Sequence, residues 1–215
     1  TVRMRVGALP QYPSNALNYN LTWSTDGLIN EYIEPCEAIV EGQLISVPAM
    51  EEREEFSLDG VTYEGFTTAG GLADLSIFAE MLPRNVTFKT IRYPGHLNYM
   101  RFLLDDLGLR YRRDMLRSLL ANGLPIIEND TLLLVVTARG LRGRQPVEKT
   151  VYHRFSANPL LDRFNALTSV AVGHAAALMS LLFNNRLPKE GWIMPHLLDT
   201  KKLLESPFLA PLLQT

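Results

Sequence analysis

The sequence contains one cysteine, Cys36, among 215 residues. A single thiol cannot form an internal disulfide, which excludes a disulfide-stabilised scaffold and favours a reducing, cytoplasmic location. The residues from Tyr32 to Glu37 carry no cue for a base beside this thiol. Cys36 is therefore predicted to be packed rather than reactive.

An excess of positive charge is also lacking, because 21 Lys and Arg face 23 Asp and Glu, a formal net charge of -2. Such a chain has no positive field to attract phosphate backbones or anionic lipid, so nucleic acid is not an expected partner. A local basic cluster runs from Arg110 to Arg117 between Asp105, Asp106 and Asp114. It predicts a solvent-exposed helix face with ion pairs between residues four positions apart.

Long apolar runs are scarce, and the one candidate, residues 166–183, is at the short limit for spanning a bilayer. It contains polar residues such as His174 and Ser180, and several small residues that would let another backbone approach closely. These features favour a helix buried in the core of a soluble domain over a membrane span. No membrane partner is expected.

Nucleotide and metal motifs are missing as well. The chain has no Gly-x-Gly-x-x-Gly after a strand, no phosphate-binding loop and no Cys/His spacing typical of a metal site. We therefore predict no cofactor-binding and no metal-binding residues in this chain. The cofactor site of any redox enzyme that contains it must lie elsewhere.

What is present is an ordinary globular composition, 47% hydrophobic and 20% charged, which fits one domain over residues 1–215. Strand patterns joined by hairpin signals dominate, among them Asp59-Gly60 and a predicted loop at 139–144. Helices interrupt the strands without regular alternation. The pattern predicts an α+β fold, a mixed and largely antiparallel sheet with helices packed on one face. Predicted helices follow the cap Ser24-Thr25-Asp26 and lie near residues 72–82, 96–107, 110–121, 166–183 and 197–204.

Several segments in the first half of the chain resemble one enzyme family in their residues and in their order along the chain. They are the residues at 7–10, 19–32, 35–39, 66–72 and 89–96. Together they cover about residues 1–110 and resemble the saccharopine dehydrogenase family where its substrate domain begins. The first strand, Val2 to Val6, begins abruptly, so we expect a nucleotide-binding domain upstream of this chain.

The resemblance implies a full-length enzyme with an N-terminal Rossmann domain that binds NAD or NADP. It implies that this domain's sheet is similar to those of homoserine and glyceraldehyde-phosphate dehydrogenases. Such enzymes transfer a hydride between NAD(P) and a carbon bonded to nitrogen, as in saccharopine, so this domain should mainly bind the amino-acid substrate. Alone it is expected to be inactive. Fungal saccharopine reductases carry an arginine where this chain has Asp26, and an acidic residue there would rather meet an amine.

Arg92 is the first choice for binding a substrate carboxylate, because it ends a strand and its planar guanidinium fits a dicarboxylate. The alternative is a structural ion pair. His96 is a general base by type, yet its position at a helix start also fits a structural hydrogen bond. Trp23 and Tyr93 are predicted either to line an aliphatic substrate or to fill the core.

Two further segments complete the predicted substrate site. The residues Ser24, Thr25, Asp26 and Gly27 form a helix cap that we also expect to touch substrate. The loop residues Thr67 and Thr68 are expected to approach a ligand or a partner subunit.

Three alternatives stay open at this level. Lysine 6-dehydrogenase and carboxynorspermidine dehydrogenase are the neighbouring activities within the same class, and Asp26 keeps them open. A non-catalytic oligomerisation or binding module of the same fold is the alternative from another class. A homodimer that covers exposed apolar strand surface is expected.

Overall fold

Eight strands form one mixed sheet in the computed structural model, which describes residues 1–72, 75–78, 83–157, 164–188 and 190–214. The strands are β1 (Val2–Pro10), β2 (Cys36–Val40), β3 (Gln43–Val47), β4 (Glu54–Leu58), β5 (Val61–Phe66), β6 (Val86–Arg92), β7 (Asp130–Arg142) and β8 (Gln145–Ser156). The α-helices are α1 (Thr25–Ile33), α2 (His96–Arg101), α3 (Arg113–Gly123), α4 (Ala166–Phe183) and α5 (Thr200–Leu204).

The strands are ordered β3-β2-β6-β1-β7-β8, with β5 added to the end of β6 and β4 paired to β5. Only β1 and β6 run parallel, in the register Val2 to Val86 and Val6 to Thr90, and the other pairs are antiparallel. The predicted α+β class with a mixed, largely antiparallel sheet is confirmed. Three of the six antiparallel pairs, β2–β3, β4–β5 and β7–β8, are hairpins, whose short turns can join only antiparallel strands.

The two faces of the sheet are covered by different elements. Helix α4 packs on one face, where Ala166 meets Leu132 and Phe155. The β4–β5 hairpin folds over the opposite face and brings Tyr63 onto Ile91. The hairpin turns at the two residues predicted, Asp59 and Gly60, whose φ angles of 51° and 79° are the positive values that a tight two-residue turn requires.

A second core forms where β5 and β6 end and α1, α2 and α3 converge. Its largest buried side chains are Tyr19, Tyr32, Phe66, Leu28, Leu97, Met100, Leu104 and Leu116. Because these side chains fix α1 beside the carboxyl end of β6, residues of both elements meet over the sheet face that α4 covers.

Helix α4 spans the predicted residues 166–183, but the prediction that it is buried in the core is wrong. Only 17% of the helix is buried, and Val172 and Phe183 are 52% and 76% exposed. Its small residues do allow a close approach, since a Cβ on Gly173 would lie 2.8 Å from the Phe208 carbonyl oxygen. They serve one contact face: α4 packs on the sheet and on Leu203 and Leu209 of the C-terminal segment, while Val172 and Phe183 on its other side are exposed.

Three further boundaries differ from prediction. The loop expected at 139–144 is mostly strand, since β7 and β8 continue to a turn at Gly143 and Arg144 and place Arg139 opposite Glu148, with which it forms an ion pair. The helix expected at 96–107 is α2 followed by a π-helical turn, which ends at Gly108 as predicted, with φ at 66°. Of the helix expected at 72–82, residues 75–78 form a 3-10 turn, and residues 73–74 and 79–82 lie outside the described residues.

The basic cluster on α3 is exposed as predicted, but most of its partners were assigned to the wrong element. Arg117 pairs with Asp26 at 2.6 Å and Arg113 pairs with Glu34, both on α1. Only Arg110 has a local partner, Asp105, at 2.7 Å. The packing of α1 against α3 offers these arginines carboxylates nearer than those of their own helix.

Candidate functional site

Gly27 and Glu31 lie on one side of α1, because residues four positions apart share a helix face, and the ring of Trp23, which precedes the cap, lies against Gly27. Ser24 caps the helix, its hydroxyl accepting a hydrogen bond from the Gly27 N–H at 3.3 Å. A Cβ on Gly27 would lie 2.4 Å from Cζ3 of Trp23. Glycine is therefore required at this position for the indole to lie against the helix.

Arg92, at the end of β6, is held by four hydrogen bonds inside the protein. Its Nε donates to Tyr32 Oη at 2.8 Å, and Nη1 donates to Thr90 Oγ1 at 2.8 Å and to the Ile91 carbonyl at 2.9 Å. Its Nη2 donates to Glu31 Oε2 at 3.0 Å. A guanidinium has five N–H donors, so one of them has no hydrogen-bond partner among the described residues.

The charges of this pair offset each other. Burial acts to lower the pKa of Arg92, but Tyr32, Tyr19 and Glu31 outweigh it and keep the pKa above its usual range. Burial raises the pKa of Glu31, and the charge and hydrogen bond of Arg92 oppose that rise. The guanidinium also lies 5.0 Å from the centre of the Tyr19 ring, a cation–π contact. The pair therefore forms a neutral unit with its charges held in fixed positions.

His96 is fully buried and both of its ring nitrogens are bound within the protein. The Leu17 carbonyl, 2.9 Å from Nδ1, can only accept, so Nδ1 carries the proton and Nε2 accepts from Tyr32 Oη at 3.0 Å. Burial and the charge of Arg92 lower the pKa of His96 to about 3. The imidazole is neutral near pH 7, and the general-base role expected from sequence stays a prediction.

Two cavities meet at this part of α1. The narrow cavity, of about 130 Å³, lies on the sheet face under α4 and is lined by Val6, Gly7, Ala8, Trp23, Glu31, Phe88, Thr90, Arg92, Leu132 and Leu167. The wide cavity, of about 680 Å³, is lined by Trp23, Gly27, Asn30, Glu31, Glu34, Ala69, Gly70 and Arg113. Trp23 and Glu31 belong to both linings and form a shared wall between the two cavities.

The structure brings together three of the residues predicted for the substrate site. Arg92 lines the narrow cavity, Gly27 the wide one, and Trp23 both. Ser24 and Thr25 begin α1, and Ser24 acts as its cap. Their contacts with substrate stay predictions.

The other predicted residues have partners away from the cavities. Asp26 is paired with Arg117 on the surface. Tyr93 Oη donates to the Pro10 carbonyl at 2.9 Å, and its ring stacks on Tyr63 on the opposite sheet face. The Thr67 hydroxyl donates to the Pro48 carbonyl at 2.8 Å. These contacts support loops and the core.

Thr68 differs from its neighbour Thr67. It is 2% exposed, and its hydroxyl has no hydrogen-bond partner in the described part of the chain. The next two residues, Ala69 and Gly70, line the wide cavity, and the Ala69 N–H donates to the Glu31 carbonyl at 3.0 Å. This loop is thereby tied to α1 beside the shared wall.

Sequence reasoning missed Glu31, Tyr32, Tyr19 and Thr90. A local signal existed for Glu31, because the spacing of Gly27 and Glu31 places both on one helix side. Tyr19, Tyr32 and Thr90 come from separate elements and meet only around Arg92. No pattern within a single segment of the sequence predicts that arrangement.

The chain matches one protein family over almost its whole length. The family described as saccharopine dehydrogenase C-terminal domain matches residues 1–214. The chain belongs to that family. The expected resemblance, which rested on about half of the sequence, extends over the whole saccharopine dehydrogenase C-terminal domain.

A solved structure shares this fold. It is a ligand-free, histidine-tagged saccharopine dehydrogenase (L-Glu forming) from Saccharomyces cerevisiae, with a TM-score of 0.70 and 12% sequence identity. The match covers 95% of this chain and 63% of the yeast chain, so this saccharopine dehydrogenase C-terminal domain spans less than two thirds of that protein. At this identity the likeness concerns the fold.

The described residues of this domain do not fit a dinucleotide. A pyrophosphate binds well at a helix N-terminus with free N–H groups. Each of the three longest helices instead has a carboxylate there: Asp26 in the first turn of α1, Asp114 in that of α3, and Asp130 on the first N–H groups of α4. The lining of the wide cavity adds Glu31 and Glu34. Asp26, Glu31 and Glu34 are each paired with an arginine, but Asp114 and Asp130 disfavour a phosphate where they stand. The starts of α3 and α4 are therefore unsuited to a pyrophosphate.

Proposed function

We propose that this chain is the substrate-side domain of an NAD(P)-dependent oxidoreductase that acts on the C–N bond of an amino acid such as saccharopine. The observation that carries the proposal is the buried pair of Arg92 and Glu31 in the wall of the narrow cavity. A fixed charge pair beside an indole suits a substrate that is aliphatic in the middle and charged at its ends. Family membership over residues 1–214 supports the reaction class.

The residues of this chain would bind and orient the substrate. The free N–H of Arg92 suits a substrate carboxylate, and Trp23 provides an apolar wall for the carbon chain. Apolar neighbours such as Val6 and Leu167 give the narrow cavity a mostly apolar lining. The hydride acceptor, NAD or NADP, is assigned to another part of the protein that carries this chain, in the cytoplasm.

His96 and Tyr32 act in this proposal as positioning residues. The Tyr32 hydroxyl accepts from Arg92 Nε and donates to His96 Nε2, and His96 is anchored on the Leu17 carbonyl. This relay of hydrogen bonds fixes the guanidinium plane. A rigid, preorganised cation binds a carboxylate with less loss of entropy than a mobile one.

The neighbouring activities, lysine 6-dehydrogenase and carboxynorspermidine dehydrogenase, are the second candidates. The observation in their favour is the acidic lining of the wide cavity, where Glu31 and Glu34 stand against one arginine. A non-catalytic oligomerisation or binding module gains less support, because such a module has no need of a buried charge pair beside a cavity.

The test is dinucleotide-dependent oxidation of saccharopine, lysine and carboxynorspermidine by the protein that carries this chain. Arg92→Lys keeps the charge but cannot reproduce the four hydrogen bonds of the guanidinium. We expect kcat/KM to fall about a hundredfold, because a misplaced binding group misaligns the substrate.

Arg139→Lys is the matched control, since Arg139 lies on the β7–β8 hairpin and pairs with Glu148, outside both cavities. Unchanged kcat/KM in Arg92→Lys would contradict the assigned site. No turnover of any of the three substrates, in a protein that binds NAD(P), would contradict the function and leave the fold standing.

A further inference from the structure

Glu31 has an oxygen that is not used by the protein. Its side chain is 20% exposed, and Oε2 accepts from Arg92 Nη2 at 3.0 Å. Oε1 has no hydrogen-bond partner among the residues that the structure describes. Glu31 lines both cavities, and a charged carboxylate oxygen is a stronger acceptor than a neutral one. Glu31 therefore presents an unpaired acceptor at the shared wall.

The surrounding charges select the kind of donor. Apart from Glu31, Arg92 donates only to neutral groups, on Tyr32, Thr90 and Ile91, so the pair has no excess positive charge. In the wide cavity Arg113 is bound by Glu34 and Asn30. A second anion placed at Oε1 would meet repulsion, whereas a cation would meet the free side of a carboxylate.

The ring of Trp23 also favours a cation over an anion. Its Nε1 donates to Tyr19 Oη at 3.0 Å, so the indole N–H is already used. The remaining ring, 36% exposed for the residue as a whole, lines both cavities next to Glu31. An aromatic face attracts an alkylammonium group, and a neighbouring carboxylate strengthens that attraction.

We propose that Glu31 Oε1 and the ring of Trp23 form a subsite for a protonated aliphatic amine, primary or secondary. The proposal rests on the function proposed above, since it names the amine nitrogen of that substrate class as the group recognised. The narrow cavity of about 130 Å³ is well below the roughly 300–1,000 Å³ of pockets for drug-sized ligands, so it accepts a short aliphatic chain. The wide cavity of about 680 Å³ receives the rest of the molecule.

The same geometry gives another partner to Asp26, the carboxylate that the sequence suggested for an amine. Asp26 is held by Arg117 at 2.6 Å and does not belong to either cavity lining. Glu31, five residues further along α1, occupies the position where an amine would be bound. If Glu31 binds the amine, replacing Glu31 should weaken amine binding and replacing Asp26 should not.

The protein has two tryptophans, and Trp192 is 86% exposed, so Trp192→Phe leaves Trp23 as the only tryptophan of this chain. In that background we would titrate n-butylamine, butanol and butyrate near neutral pH and follow Trp23 fluorescence. Butylamine is expected to bind roughly tenfold or more tightly than either probe, as a charge-assisted hydrogen bond requires. Equal affinities for the three probes would overturn the proposal.

Glu31→Gln then removes the charge while its amide oxygen still accepts from Arg92. Butylamine affinity is expected to fall roughly tenfold or more, and butanol affinity to stay constant. The matched control Asp26→Asn should leave butylamine binding unchanged. Loss in Asp26→Asn but not in Glu31→Gln would overturn the assignment. If Glu31→Gln does not fold, the comparison of probes on the Trp192→Phe protein decides.

The two proposals fail separately. A preference for butylamine without turnover of saccharopine, lysine or carboxynorspermidine removes the proposed reaction and supports the amine subsite. Turnover of one of these substrates without any preference among the three probes supports the reaction and overturns the subsite.

Discussion

Arg92 forms the structural ion pair that its sequence position suggested as one alternative, with Glu31, and it lines the narrow cavity. Its contact with a substrate carboxylate stays a prediction. A side chain with one free donor would bind a carboxylate less strongly than a free guanidinium, which would offer a bidentate contact. In the proposed function, substrate selection is therefore divided between Arg92 and Glu31.

His96 gives a prediction about acid stability. Its pKa is about 3 in the folded protein and 6.5 in an exposed histidine, so the unfolded chain binds the extra proton first. Stability is then complete above about pH 6.5 and falls as the pH drops toward 3, by about 1.4 kcal/mol per unit. Between pH 7 and pH 5 we expect a loss of about 2 kcal/mol from this residue, measured by urea unfolding.

His96→Gln is the comparison, because an amide can accept from Tyr32 and donate to the Leu17 carbonyl without titrating. The variant should show a shallower fall in unfolding free energy over the same pH range. Parallel pH curves for the two proteins would mean that His96 is protonated as readily when folded as when unfolded.

The features that the sequence could predict are those that depend on a few neighbouring residues. Ser24 was identifiable as a helix cap, and Gly108 as a helix end, because both depend on the backbone of one turn. Whether Arg92 is free or paired could not be read in the same way. Its partner Glu31 is 61 residues away, and their meeting depends on how α1 docks on β6.

At the scale of elements, α4 depends on a contact that sequence spacing does not reveal. The carboxylate of Asp130, at the start of β7, accepts from the backbone N–H groups of Ala166 and Leu167. Asn165 caps the same helix by accepting from the Thr168 N–H at 2.8 Å. Together they satisfy the first N–H groups of α4 and lock it onto the sheet above the narrow cavity.

Asp130→Ala is expected to lower the free energy of unfolding by about 2–4 kcal/mol, because two N–H groups at a largely buried site lose their acceptor. Asp199→Ala is the control: Asp199 caps the short, exposed α5, and its loss should cost about 1 kcal/mol or less. Urea unfolding measures both. Equal losses would mean that the Asp130 contact contributes no more than an ordinary surface cap.

At the scale of the whole molecule, the sheet has one face under α4 and the other under the β4–β5 hairpin, and none of the described residues forms a layer over the outer side of α4. Val172, Met179 and Phe183 are exposed there, and no charged residue occurs within the helix. An apolar surface of this kind commonly meets a second subunit. The homodimer expected from sequence, which would cover apolar strand surface, stays a prediction, and we expect its contact on this helix face instead.

Light scattering on the protein that carries this chain should give twice the monomer mass. Val172→Glu places a charge on the outer face of α4 and is expected to shift the mass toward the monomer, because a buried unpaired charge is costly. Lys201→Glu, on the exposed α5, changes charge without touching that face and should keep the dimer. A monomer at high concentration in all three proteins would refute the prediction.

The sequence by itself determined the α+β class, the hairpin at Asp59-Gly60, the span of α4 and the family, because these depend on local periodicity, turn chemistry and the order of motifs. Only the tertiary structure decided that α4 is exposed on one side, that Asp26 pairs with Arg117, and that Glu31 keeps a free oxygen. Burial and charge pairing are properties of surfaces that meet across long sequence distances. They are set by the docking of α1, α3 and α4 around the sheet, which no single segment encodes.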